Sequence, residues 1–273
     1  MTKTPRNTTT LTKSTSSHVE LDANPKSQNN IKPTNHKPLI EMENVVKIYH
    51  TQAGDFPALK GVSAHFYPGQ FVSIIGKSGS GKSTMLNMIT GIDRPTSGKI
   101  LIDGTYLQDL TESQFSEWRG RNLGIVFQFF QLLPMLSLLE NTILPMDFCN
   151  MYEPVEREVR AKKLLETVGL KNFTHQPPAA VSSGQEQCAA IARALANDPP
   201  IIVADEPTGN LDSKTADLVL NLLDDLVSRG KTILVVTHDE AVARRASRTL
   251  VISDGELVDE TVSNAFPSIS HRS

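Results

Sequence analysis

Phe71-Val72-Ser73-Ile74-Ile75-Gly76-Lys77-Ser78-Gly79-Ser80-Gly81-Lys82-Ser83-Thr84 is the stretch on which the fold turns. An apolar run ends at Ile75, a full match to GxxxxGK[ST] spans Gly76 to Ser83, and Lys82–Thr90 reads as a helix. Strand, glycine-rich loop and helix in that order make a phosphate cradle. The glycines let successive backbone N–H groups converge on phosphate oxygens, and the helix behind them turns its positive end toward the same point. Residues Gly76, Lys77, Ser78, Gly79, Ser80, Gly81, Lys82, Ser83 and Thr84 are therefore candidate nucleotide contacts. In this reading Lys82 reaches the β- and γ-phosphates of ATP, and the Ser83 hydroxyl ligates Mg²⁺.

Outward from the loop, segments 39–50, 58–67 and 70–76 read as strands, with Tyr67-Pro68-Gly69-Gln70 as the turn between the last two. Gly98–Gly104 reads as a short strand closed by an Asp-Gly turn. From 111 to about 197 the pattern is helical, and this stretch is expected to form an inserted lobe. Beyond it come an apolar strand at Ile201–Ala204, a helix from Ser213 to Arg229, a strand at Thr232–Val236, a short helix and a strand at Thr249–Ser253. Apolar strands alternating with helices predict a parallel sheet covered on both faces.

Two acids close the strand at Ile201–Ala204. Carboxylates at the end of a buried strand are costly unless something uses them. Beside a phosphate loop, Asp205 fits as the carboxylate on the Mg²⁺ side and Glu206 as the group that orients the attacking water. A phosphotransferase needs a place for an acceptor hydroxyl, whereas a hydrolase needs only a positioned water, and Glu206 favours the hydrolase.

Taken in order, Gly76–Thr84, Gln128 in VFQFFQLLP, Val181–Gln187, Ile201–Pro207, Gly209-Asn210-Leu211-Asp212 and Val236-Thr237-His238-Asp239 resemble the ATP-binding subunit of an ABC transporter. The resemblance spans about residues 39–262. It implies an α/β fold: a P-loop NTPase core with a mainly parallel sheet, an antiparallel β subdomain and an inserted helical subdomain. It also implies a head-to-tail dimer that sandwiches two ATP molecules, each between one chain's P-loop and the other chain's signature residues, here Ser182, Gly184 and Gln185. By the same resemblance, Gln128 senses Mg²⁺ or the water and His238 contacts the γ-phosphate. Asp212 crosses the dimer interface, and Tyr49 stacks on adenine. Read alone, Tyr49 is a strand-end aromatic and His238 a surface histidine.

The signature departs from the family pattern of LSGGQ followed by an acid or Gln and then Gln-Arg. Here Ser183 replaces the first glycine and Cys188 the arginine. A side chain at 183 narrows the approach of backbone to phosphate, so weakened hydrolysis is expected. The alternative is a slow or non-hydrolysing nucleotide-dependent module in a heteromeric or cell-division-type complex.

Charge and composition narrow the partners. The chain of 273 residues has a net charge of −3, but residues 1–38 carry six basic and two acidic groups, leaving 21 basic and 28 acidic groups on the rest. A body at −7 does not suit a protein that neutralises nucleic-acid phosphates. A soluble ABC ATPase acting in DNA repair or on ribosomes would add a long coiled-coil insertion or a second cassette, and neither is visible. Residues 1–38, rich in Thr, Ser, Asn and Pro, bury too little apolar surface to order and are expected to be a disordered basic tail; 263–273 form a second short polar tail. Cys149 and Cys188 belong to no CxxC pattern and read as buried, inert thiols.

Between Arg121 and Glu140 run 18 uncharged residues, near the length that spans a bilayer, but Gln128, Gln131 and Pro134 interrupt them. The expectation is a peripheral protein at the cytoplasmic face of the cell membrane. It would pair with a second ATP-binding subunit, as a homodimer or a heterodimer, and serve separate integral-membrane permease subunits. Some of Phe129, Phe130, Leu133 and Met135 are expected to dock on those subunits. Within the family, the sequence around Gln128 and Glu206 resembles the macrolide-exporter, lipoprotein-release and cell-division branch, which implies export or membrane extraction of a lipoprotein, peptide or amphiphile.

Overall fold

The computed structural model describes residues 37–52, 54–209 and 211–263. The N-terminal tail up to residue 36, the C-terminal tail from 264, and Asn210 of the Gly209–Asp212 motif lie outside them.

Along the chain, β1 (Ile40–Thr51) and β2 (Gly54–Phe66) form a hairpin, and β3 (Phe71–Ile75) leads through the glycine-rich loop into α1 (Lys82–Thr90). A second, short hairpin joins β4 (Ser97–Ile102) to β5 (Thr105–Tyr106). Then come α2 (Glu112–Asn122), β6 (Leu123–Val126), α3 (Leu138–Phe148), α4 (Pro154–Thr167) and α5 (Ser183–Ala194). The remainder runs β7 (Ile201–Asp205), α6 (Ser213–Ser228), β8 (Thr232–Val236), α7 (Glu240–Arg245), β9 (Arg248–Ser253) and β10 (Glu256–Val262).

These strands make two sheets. One is antiparallel, in the order β2-β1-β4-β5; the other has the order β10-β9-β3-β8-β7-β6 and is parallel except for β10. The expected mainly parallel sheet and antiparallel subdomain are both present. The expected turns form too. Gln70 N–H donates to the Tyr67 carbonyl, and the Asp103-Gly104 pair takes the doubly left-handed backbone that a two-residue hairpin requires, with φ of 47° and 77°.

The alternation of the central strands explains why they read as unbroken apolar runs. Ile202 and Ala204 of β7, with Ile233 and Val235 of β8, face a core shared with Leu138, Leu165, Ile191 and Leu223 of the helices. Their neighbours Ile201, Val203, Leu234 and Val236 face the opposite core, under α1 and the antiparallel sheet. With both faces buried, every position is apolar.

The stretch from 111 to 197, read as helical, contains a strand: β6 pairs in parallel with β7, from Leu123 opposite Ile201 to Val126 opposite Ala204. Four apolar residues are too few for periodicity to separate helix from strand. Gly124 supplies the physical reason for the strand's place, because a Cβ there would lie 2.4 Å from the Ala194 carbonyl oxygen, so only glycine lets β6 approach the end of α5. The 18 uncharged residues start at the last residue of α2, run through this strand and continue as a loop and the first turn of α3. Among the described residues, no helix is long and apolar enough to cross a membrane.

Candidate functional site

Strands β3, β6, β7 and β8 run parallel, so the segments that follow them leave the same edge of the sheet. Ligand sites of open α/β sheets form at that edge. Here it gathers the loop Gly76–Gly81 after β3, Gln128 after β6, Asp205-Glu206 at the end of β7, and Thr237-His238 after β8.

The loop depends on glycine at two crowded points. A Cβ on Gly76 would lie 2.1 Å from the Ile252 carbonyl oxygen, and one on Gly81 would lie 2.6 Å from the Ala58 carbonyl oxygen. Gly81 also precedes α1 with φ of 107°, and no side chain caps the helix, so its first N–H groups face the loop. The Lys82 ammonium folds back over this loop and donates to the carbonyls of Gly76 and Lys77, each at 2.9 Å.

Next to Lys82, the Ser83 hydroxyl meets the Asp205 carboxylate and favours its charged form. Burial nevertheless dominates, and with the added repulsion of Glu206 it raises the Asp205 pKa despite the field of Lys82. A partly buried carboxylate beside a hydroxyl presents oxygen donors to a hard divalent cation, whose charge would offset the burial that disfavours ionised Asp205. Ser83 and Asp205 therefore fit Mg²⁺, with Gln128, exposed two residues beyond β6, as a further oxygen donor from the neighbouring strand. Among the described residues, no cluster of three His, Cys, Asp or Glu side chains could hold a metal by itself, so such an ion needs other ligands, which phosphate and water supply.

Glu206 is held more firmly than its position at a strand end required. Its backbone is left-handed, with φ of 49°, and its N–H donates to the Val236 carbonyl at 2.9 Å. The carboxylate, 12% exposed, accepts from the Thr237 hydroxyl at 3.1 Å, from the His238 N–H at 3.1 Å and from His238 Nδ1 at 2.7 Å. The last bond requires the proton on Nδ1. It is also the main reason the His238 pKa is raised. Thr237 is fully buried and its hydroxyl also accepts the Asp239 N–H at 2.9 Å. Sequence reasoning gave Thr237 no role, because a threonine between an apolar strand and a histidine carries no chemical signal of its own.

The remaining expected contacts fall in two other places. Tyr49 lies on β1 with its hydroxyl toward Asp93 and Thr84, and burial with the Asp93 carboxylate raises its pKa. Ser182 caps α5, its Oγ accepting Gln185 N–H at 3.3 Å while Gln185 Oε1 accepts Ser182 N–H at 2.9 Å. Gly184 is the second residue of that helix. Asp212 caps α6 by accepting from Lys214 N–H, Thr215 N–H and the Thr215 hydroxyl, bonds that lower its pKa. Among the described residues, no hydrogen bond or ion pair joins Ser182, Gly184 or Gln185 to the Gly76–Thr84 loop. The signature residues and Asp212 instead share a cavity of about 410 Å³ with Cys188.

The family described as ABC transporter matches residues 59–209, more than half of the chain. The chain belongs to the ABC transporter family. It is an ABC-type ATPase cassette, and known relatives cover nearly all of its described length. An uncharacterized ABC transporter ATP-binding protein of Thermotoga maritima is 46% identical over 81% of this chain and 94% of that protein. The macrolide export ATP-binding/permease protein MacB of Marinobacter nauticus is 41% identical over 82% of this chain but only 35% of its own. Among solved structures, the dimeric ATP-binding cassette MJ0796 of Methanocaldococcus jannaschii, in a post-hydrolysis state bound to ADP and Pi, superposes with a TM-score of 0.79 at 44% identity. That match covers 83% of this chain and all of the other.

Buried thiols were expected, and both are buried. Desolvation pushes the Cys188 thiol up to about 11 and raises that of Cys149.

Proposed function

We propose that this cassette hydrolyses ATP with Mg²⁺ to drive export or membrane extraction of a lipoprotein, peptide or amphiphile through separate permease subunits. The observation that carries the hydrolytic reading is Glu206, immobilised by three donors next to Asp205 and on the same sheet edge as Lys82. Lys82 and the N–H groups of the loop bind the phosphates; Ser83, Asp205 and Gln128 would hold Mg²⁺, which would supply positive charge to the phosphates when bound. Glu206 orients a water whose oxygen bonds to the γ-phosphorus as the bond to the β,γ-bridging oxygen breaks. His238 carries its proton on the side facing Glu206 and presents the ring to the γ-phosphate.

A second copy completes the site. The signature residues Ser182, Gly184 and Gln185 line a cavity with Asp212 and Cys188 rather than with the phosphate loop, so in this reading one chain's ATP meets them on a partner, with Asp212 at the junction. The dimeric state of the MJ0796 cassette supports a paired assembly, whether the partner is the same chain or a different one.

Docking on membrane subunits is supported by the loop after Gln128. Phe129, Leu133 and Met135 are exposed, Phe129 at 76% and Met135 at 93%, Phe130 is half-buried, and the backbone is pinned. Arg193 donates to the Phe130 and Gln131 carbonyls at 2.7 and 2.6 Å, and buried Asn141 bonds Leu133, Leu136 and Ser137. Apolar side chains on a fixed backbone form an interface rather than a loose loop. This reading puts the protein at the cytoplasmic face of the membrane.

A second reading, a slow or non-hydrolysing module, rests on the signature. Ser183 places an exposed side chain on the first turn of α5, and Cys188 is short enough to leave the neighbouring cavity open. Phosphate release by the purified dimer separates the two readings. Turnover that rises in Ser183→Gly supports a weakened ATPase; no release from either protein supports the second reading.

A further inference from the structure

Besides Thr84 of the phosphate loop, two groups that have no part in phosphate chemistry hold Tyr49: Lys47 at its ring and Asp93 at its hydroxyl. Lys47, two residues earlier on the same face of β1, places its ammonium 4.9 Å from the centre of the Tyr49 ring. That ammonium is fixed in turn, 2.7 Å from Asp93 Oδ1 and 2.9 Å from the Arg94 carbonyl. The Lys47 side chain is only 13% exposed, so the pair is shielded from water on one side. Burial would raise the Asp93 carboxyl, but the bonds from Lys47 and the Arg94 N–H outweigh it and keep it charged. The segment carrying Asp93 follows α1 directly and is fastened to β1 by its backbone as well. Thr96 N–H donates to the Val46 carbonyl at 2.8 Å, and Ile48 N–H donates to Thr96 Oγ1 at 3.0 Å. The N-terminus of α1 thus faces the glycine-rich loop, while the segment after its C-terminus grips the strand that carries Tyr49.

We infer that Lys47 and Asp93 are positioning residues for the nucleobase. The ammonium occupies one face of the Tyr49 ring and leaves the other for the base. Asp93 sets both the ammonium and, through the tyrosine hydroxyl, the angle of the ring. A cation on one face also draws electron density from the ring, which favours an electron-rich purine on the opposite face. The inference rests on the reading that Tyr49 stacks on adenine.

The test compares a non-hydrolysable ATP analogue with inorganic tripolyphosphate, which has the phosphates and no base. Dissociation constants for both are measured by equilibrium competition on the full chain, its Tyr49→Ala, Lys47→Met and Lys47→Arg variants, and Asp93→Asn. Lys47→Met is expected to weaken the nucleotide about fivefold and leave tripolyphosphate unchanged, with Lys47→Arg restoring most of the loss. Asp93→Asn, which keeps a partner for the tyrosine hydroxyl but breaks the ion pair, should fall between them. If Lys47→Met and Asp93→Asn weaken both ligands equally, or neither, the positioning role is overturned. If Tyr49→Ala leaves the ratio of the two constants unchanged, the stacking reading beneath it fails instead.

Discussion

Replacing Thr237 with valine removes one hydroxyl and almost no volume, which makes it a sharp test of how Glu206 is held. Valine fills nearly the same space as threonine at this completely buried position, so the cost comes mainly from hydrogen bonds. The hydroxyl donates to Glu206 Oε2 at 3.1 Å and accepts the Asp239 N–H at 2.9 Å. A bond to a charged group is worth about 1.5–3 kcal/mol, and the low end applies because Glu206 keeps both His238 donors. Leaving the Asp239 N–H without a partner costs about 1 kcal/mol more, since water can reach part of that turn. The sum, about 2–3 kcal/mol, corresponds to a fall in Tm of about 5–10 °C for a domain of this size. Catalysis should suffer separately. With Oε2 released, about 1.4 kcal/mol of lost alignment in the transition state lowers kcat about tenfold at an unchanged KM for ATP. Thr237→Ser retains the hydroxyl and should restore most of the rate. Differential scanning calorimetry and a phosphate-release assay on both variants decide the matter. A Thr237→Val protein with the parent's Tm and kcat would mean that the carboxylate is positioned by something else.

Two further perturbations probe neighbouring parts of the site. Burial raises the Asp205 pKa, so the folded state binds this proton more tightly than the unfolded chain does; its penalty is absent below the ordinary carboxylate range and grows as pH rises through it. Asp205→Asn should therefore raise the Tm of the nucleotide-free protein at neutral pH, flatten that pH dependence and remove the extra stabilisation by Mg²⁺ in the presence of ATP; a lower Tm would contradict the assignment. Arg193→Met removes both bonds to the loop after Gln128, and amide exchange across residues 128–133 should accelerate at least tenfold while exchange in β7 stays slow, with unchanged protection counting against a pinned loop.

Much of this was legible in the residues because the chemistry and the fold use the same signals. The glycine spacing of Gly76–Gly81 announces the phosphate loop, and a fully apolar strand that ends in Asp205-Glu206 announces a use for buried carboxylates. Strand β6 was hidden because Leu123–Val126 is short and sits inside a long helical stretch, and only its pairing with β7 defines it. Thr237, Arg193, Lys47 and Asp93 were hidden for a different reason. Each acts by holding another side chain or a backbone carbonyl in place, through partners 31, 62 and 46 positions away for the first three, and no local pattern encodes such a pairing. Signature residues Ser183 and Cys188 lie between these cases: their departure from the family pattern is visible in sequence, but in the proposed dimer its effect on turnover depends on a second chain.

In the proposed mechanism, Glu206 orients the water that ends each cycle. Substituting Glu206→Gln keeps the size of the side chain and most of its hydrogen bonds while removing the charge. On ATP and Mg²⁺, the variant should bind nucleotide as tightly as the parent, release phosphate at least a hundredfold more slowly, and elute as a stable dimer in size-exclusion chromatography. A Glu206→Gln protein that hydrolyses ATP at the parental rate would contradict the account.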